Sequence, residues 1–142
     1  MNVTPNNVYD DVEELKAKVA TLETTVEALA VNHVDTGWID LPLATGITAH
    51  STVNFPCRYR KIGNKVRVEG AVVGITALNT VVATLPEGFR PSKSFYNVTA
   101  SNAGKTDTFN VRNNGEIKLM NTQLEALYAD QYHFITAEFM VD

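Results

Sequence analysis

The sequence predicts a mainly β protein: an N-terminal coiled-coil helix followed by one antiparallel β head of barrel or jelly-roll type. Three observations carry that expectation. Apolar residues up to Leu29 recur at alternating gaps of four and three, which is heptad spacing. From Gly37 onward they recur at every second position, the period of a half-buried strand. Gly, Asn and Pro then punctuate the alternating region at strand-length intervals. The 142 residues suffice for one domain with an appendage.

The heptad runs through Val8, Val12, Leu15, Val19, Leu22, Val26 and Leu29. Val12, Val19 and Val26 take the a positions and Val8, Leu15, Leu22 and Leu29 the d positions, so these seven are the expected oligomerisation contacts. His33 stands at the next a position, where the pattern ends, and Asp35 and Gly37 stop the helix. In a parallel assembly Asp11 would face Lys16, and Lys18 would face Glu23, of a neighbouring chain, both opposite in sign. A helix packed on its own domain carries a wider apolar stripe than this seam, so self-association is the expectation. Valine at a with leucine at d leans toward two strands. Thr4 before Pro5, or Asn7 before Asp10, supplies a capping side chain. The helix is thus expected over residues 8–33 and the head over 34–142.

Strands are expected at 38–43, 55–62, 65–75, 80–85, 94–101, 106–112, 116–121 and 132–141. In the hairpin RYRKIGNKVRVEG, Gly63 and Asn64 are expected to supply the positive φ angles of a two-residue turn, with Val66 and Val68 alternating with Lys65 and Arg67. A second turn is expected at Asn113, Asn114 and Gly115, with Phe109, Val111, Ile117 and Leu119 sharing one face. Eleven of the twelve aromatic residues lie beyond the helix, so the core belongs there. The closing strand is apolar on both faces: Ile135, Ala137, Phe139 and Val141 on one, Phe134 and Met140 on the other. One face is expected in the core and the other at a subunit contact.

Charge narrows the function classes. Seven acids and two bases fall within the first 35 positions, against nine and ten beyond them, so the acidity belongs to the helix and the head is near neutral. A near-neutral head argues against nucleic acid, whose phosphates call for clustered bases. The cluster Arg58, Arg60, Lys61, Lys65 and Arg67 reads as the solvated face of a hairpin. No apolar run reaches spanning length, and the N-terminus lacks the pattern of a secretion signal, so no membrane partner is expected. The lone Cys57 reads as a small core residue. His33, His50 and His133 are widely spaced, and no metal or cofactor is expected. Nucleophile-elbow and phosphate-loop motifs are missing. Asp107, Glu116, Glu125, Asp130 and Glu138 supply enough acids for a chance carboxylate pair, but no site is legible and an enzyme is not expected.

An opening GWIDLPL, the hairpin YRKIGNKVRVEG and the run ATLPEGFRPS at 83–92 together resemble the head domains of tail and baseplate proteins from phages of Gram-positive bacteria. With the short helix, the chain looks like a receptor-binding protein of lactococcal siphophages. The resemblance covers Gly37 to Ser92 well and the last fifty residues poorly. It implies a homotrimer of β-barrel heads at the virion tail tip or baseplate, binding host cell-wall polysaccharide. That implied trimer takes precedence over the dimer suggested by the heptads. It also implies that residues 1–7 attach the chain to other baseplate proteins. One departure is that such proteins carry a β-helical neck, for which no room lies between His33 and Trp38.

Sugar sites combine aromatic platforms with side chains that hydrogen-bond hydroxyls. The stretch LYADQYH places Tyr128, Asp130, Gln131, Tyr132 and His133 in one loop before the closing strand, so these five are the expected saccharide-binding residues. Trp38 is either a second platform or a packing residue at the base of the head. Two other readings remain: a structural tail component that makes protein contacts only, and a cell-wall polysaccharide hydrolase.

Overall fold

The structure, a computed structural model, describes residues 5–142. The Thr4 cap and most of the expected attachment segment lie outside the described residues. The chain divides into two compact units, Met1–Val34 and Asp35–Asp142.

In the first unit α1 spans Pro5–Asn32, opening on a proline whose fixed φ suits a first helical turn. Its threonine side chains are satisfied locally, as the Thr21, Thr24 and Thr25 hydroxyls donate to the carbonyls four residues back. Lys16 pairs with Glu13 and Lys18 with Glu14 along the polar flank, both exposed. The seven heptad residues are 42–62% exposed. A helix of 28 residues with such a seam in water gains little from burial and is marginal alone.

The second unit holds eleven strands among the described residues: β1 Ile39–Asp40, β2 Thr48–Ala49, β3 Arg58–Ile62, β4 Lys65–Glu69, β5 Ala71–Val73, β6 Val81–Thr84, β7 Phe95–Ala100, β8 Thr106–Val111, β9 Glu116–Thr122, β10 His133–Phe134 and β11 Ala137–Met140. They form three sheets, ordered β1-β3-β4-β11, β10-β5-β2 and β6-β9-β8-β7, with antiparallel pairs throughout. This corrects the expected barrel. The terminal strands of each sheet do not pair with each other, so no sheet closes, and isolated bridges tie segments outside the strands to them, Leu43 to Ala83 of β6 and Ser101 to His133 of β10.

Two of the expected strands each split in two. The run 65–75 breaks at Gly70, whose φ is 141° and where a Cβ would lie 2.7 Å from the Cys57 Cα, so only glycine lets the chain turn there. Before Gly70 the strand is β4 of the first sheet; after it, β5 of the second. The closing run 132–141 breaks at the same level, Ile135 N donating to Gly70 O at 3.0 Å. It gives β10, paired with β5, and β11, paired with β4. A two-stranded ribbon thus turns one corner together.

Alternation fills the core with Val66, Val68, Val72, Ile75, Leu85, Phe109, Ile117, Leu119 and Ile135, each no more than 2% exposed. The β3–β4 turn differs in detail from expectation: Gly63 has φ 62°, and Asn64 is not among the positive-φ residues. A turn with positive φ at its first central residue alone serves a hairpin equally well.

Candidate functional site

The loop after β9 is closed by its own side chains. Gln131 N donates to Tyr128 O at 3.1 Å and Tyr128 N donates to Gln131 Oε1 at 2.8 Å, so the amide expected to meet a ligand serves the loop. Gly74 N donates to Ala129 O at 2.9 Å, tying the loop to the segment after β5. Tyr128 and Asp130 are exposed at the tip.

The chain then enters β10, and alternation separates the remaining two residues. Tyr132 is half-buried on the outer face, whereas His133 is fully buried. His133 therefore does not belong to the exposed loop, a correction that follows from the two-residue period of a strand. Its Nδ1 lies 2.6 Å from Asp107 Oδ2. Ser101 stands opposite His133 in a β-bridge and is itself buried. Ser, His and Asp thus meet, but Ser101 Oγ and His133 Nε2 have no hydrogen-bond partner and all three residues are at most 3% exposed. A nucleophile needs both a bonded base and access for substrate. This trio has neither.

On the outer face Tyr132 joins three rings that were not among the expected saccharide-binding residues, one of them Phe134, which was expected at a subunit contact. His50 stacks on Tyr132 with centroids 4.8 Å apart and on Phe55 at 6.0 Å. Phe134 meets Phe55 and Tyr132 edge-on at 5.1 and 5.8 Å. The second sheet assembles this quartet: β2 and β10 flank β5, His50 N donates to Ala71 O, and Phe134 lies opposite Ala71. Ser51 then turns the chain back to bring in Phe55, accepting from Asn54 N at its hydroxyl and from Phe55 N at its carbonyl. His50 and Phe55 are exposed and Tyr132 and Phe134 half-buried, so the quartet is a surface of aromatic carbon with polar edges. No local spacing in the sequence marks it.

The basic hairpin is compensated. Arg58 pairs with Glu69 at 2.7 Å, Arg60 with Asp35, Lys65 with Glu138, and Arg67 with Glu69 and Glu138 at 3.3 Å each. The Arg60 guanidinium, then the Gly37 N–H, hold the Asp35 carboxyl at about 2. Trp38 lies beneath Arg58 at 4.3 Å and Arg60 at 5.6 Å, a cation–π arrangement that makes it part of this sheet face. Among the candidate acids, Asp107 is taken by His133, Glu116 by Arg112 and Lys118, and Glu138 by Lys65 and Arg67. No metal-ligating cluster occurs among the described residues, and no described helix is long and apolar enough to cross a membrane.

Residues 31–135 match the family model of the YomR C-terminal beta sandwich domain. The chain belongs to this family. A YomR C-terminal domain accounts for the open, layered sheets that replace the expected barrel. No curated protein matches the chain in sequence. Two solved phage structures are among those that share the fold. The receptor-binding protein gp15 of Listeria phage PSA is 19% identical with a TM-score of 0.57, covering 99% of this chain and 90% of that one. The head domain of phage bIL170, described among the receptor-binding domains of lactococcal phages, is 18% identical with a TM-score of 0.56, covering 73% of this chain and 96% of that one. The resemblance to phage receptor-binding heads is borne out in fold, and it extends through the last fifty residues, which the sequence motifs alone had not reached.

Proposed function

We propose that this YomR C-terminal beta sandwich chain is a phage receptor-binding protein of the virion tail, and that its head binds host cell-wall saccharide on the face formed by His50, Phe55, Tyr132 and Phe134. Tyr128 and Asp130, exposed in the loop that leads into Tyr132, supply hydroxyl and carboxylate partners for sugar hydroxyls in this reading. The observation that carries the reading is the aromatic quartet beside a loop held rigidly by Gln131 and Gly74. Rings of this kind offer apolar carbon to the C–H face of a pyranose while their edges stay wet. The compensated hairpin around Arg58 to Arg67 is the weaker candidate, since Arg58, Arg60, Lys65 and Arg67 each already have an acid partner and Lys61 donates to the Gly88 carbonyl.

The exposed heptad seam supports self-association of parallel chains, and the resemblance to lactococcal-phage receptor-binding proteins sets their number at three, with segment 1–7 joining the chain to other baseplate proteins. Three heads on one stalk raise avidity for a repeating polysaccharide without any new contact. A glycan array carrying bacterial cell-wall saccharides tests the reading. Binding to a defined subset is expected. Silence across the array refutes the saccharide site and favours a structural tail role, and release of oligosaccharide shows a hydrolase instead.

A further inference from the structure

We propose that the buried Asp107–His133 pair is a register lock for β10, a positioning device that keeps Tyr132 and Phe134 on the outer face; its importance for ligand recognition rests on the saccharide reading above.

β10 is two residues long and lies at the edge of its sheet. Its neighbours hold it through the backbone, by pairing with β5, by the Ser101 bridge and by Asn102 N donating to Tyr132 O at 3.0 Å. Contacts of that kind are nearly indifferent to which side chain points inward. A slip of one residue reverses every side chain of a strand. Here it would turn His133 out and bring Tyr132 and Phe134 in, toward the space lined by Asp107 and Ser101. Apolar burial does not settle the register, because a slip would cover Tyr132 and Phe134, both half-buried, at the expense of Ile135, which lies on the His133 side and is 2% exposed.

The deciding contribution is polar. Asp107 is 1% exposed, and the 2.6 Å contact from His133 is the only hydrogen bond its carboxylate makes among the described residues, Oδ1 having no partner there. Moving His133 away would strand a carboxylate in the core. His133 Nε2 is likewise unpartnered, so the pair is poorly arranged as a source of stability. Fixing one arrangement against a competitor is the best-attested use of a buried polar pair.

The test compares two variants of the full chain by NMR, reading the nuclear Overhauser effects between the His50 and Tyr132 rings and between the Tyr132 and Phe134 rings. These contacts exist within the protein alone, so the result is independent of whether any saccharide binds. In Asp107→Asn the amide oxygen still accepts the Nδ1 hydrogen, and both ring contacts are expected at full intensity. In Asp107→Leu/His133→Ala nothing polar opposes the slip, and position 133 gains no large apolar side chain to hold it inward. That variant is expected to melt cooperatively, to lose at least half of the His50–Tyr132 intensity, and to show doubled amide signals for residues 132–134. Full ring contacts in that variant overturn the proposal. Failure of that variant to fold also overturns it, by making the pair a requirement of the whole domain rather than of one strand.

Discussion

Gly74→Ala should be among the most damaging single-methyl additions in the head, and its cost follows from the coordinates. Gly74 has φ 105°, and a Cβ there would lie 2.2 Å from the Gly46 carbonyl oxygen and 3.4 Å from the Ile47 Cα. The backbone conformation alone costs a non-glycine residue about 1–3 kcal/mol. Relieving the contact requires the 44–47 segment or Gly74 itself to shift by close to an ångström, and Gly74 N anchors Ala129 O at 2.9 Å. Loss of that bond adds about 1 kcal/mol. Together these come to about 2–4 kcal/mol before any cost of the shift itself, which for a domain of roughly 100 residues is a fall in melting temperature of about 8–30 °C. Gly46→Ala is the control: its φ is 85°, but nothing lies within 4 Å of the added carbon, so only the conformational part applies. Thermal unfolding followed by circular dichroism measures both. Equal falls for the two variants, or a fall below about 5 °C for Gly74→Ala, would refute the steric argument.

Three further outcomes are expected. Leu22→Asp puts a charge at one d position of every chain, costing at least ~2 kcal/mol per chain. The mass from sedimentation equilibrium should drop from three chains to one, whereas a dimer in the unaltered protein would vindicate the heptad rule over the trimer. Asp130→Ala/Tyr132→Ala should reduce glycan-array binding tenfold or more while the domain still melts cooperatively, and undiminished binding would move the site elsewhere. The carboxyl of Asp35, held at about 2 against an ordinary 3.8, contributes stability that is present above 3.8 and lost as pH falls through about 2. In Arg60→Gln its carbon-13 titration should move back toward the ordinary value, and an unmoved midpoint would show that Arg60 is not the main cause.

The parts of the head that were legible from sequence are those whose partners are local. The β7–β8–β9 meander falls within a residue or two of expectation, because its strands alternate cleanly and adjoin one another in sequence. β1 falls within the expected strand 38–43 but is shorter, and β2 lies in no expected strand, since two residues carry no period. The breaks at Gly70 and Ile135 were hidden because each strand stays apolar across the corner and only the close approach to Cys57 and Gly70 reveals the bend. At the candidate site, Tyr128, Asp130 and Tyr132 could be read as a polar, aromatic loop. The sidedness of His133 depended on where β10 begins. His50 and Phe55 come from the other flank of β5, and no one-dimensional pattern joins them to Tyr132.

The shared corner at Gly70 and Ile135 has a kinetic consequence. Arg67 and Glu138, which meet across the β4–β11 ladder, are 71 residues apart in sequence, and the same ribbon completes two sheets at once. The β7–β9 meander can form early at little entropic cost, but the other two sheets stay incomplete until that long loop closes. The head should therefore fold slowly and in one late step. Until then the edges of β4 and β5 remain available to any other strand, so crowded copies of the unfolded chain are at risk of exchanging their last strands.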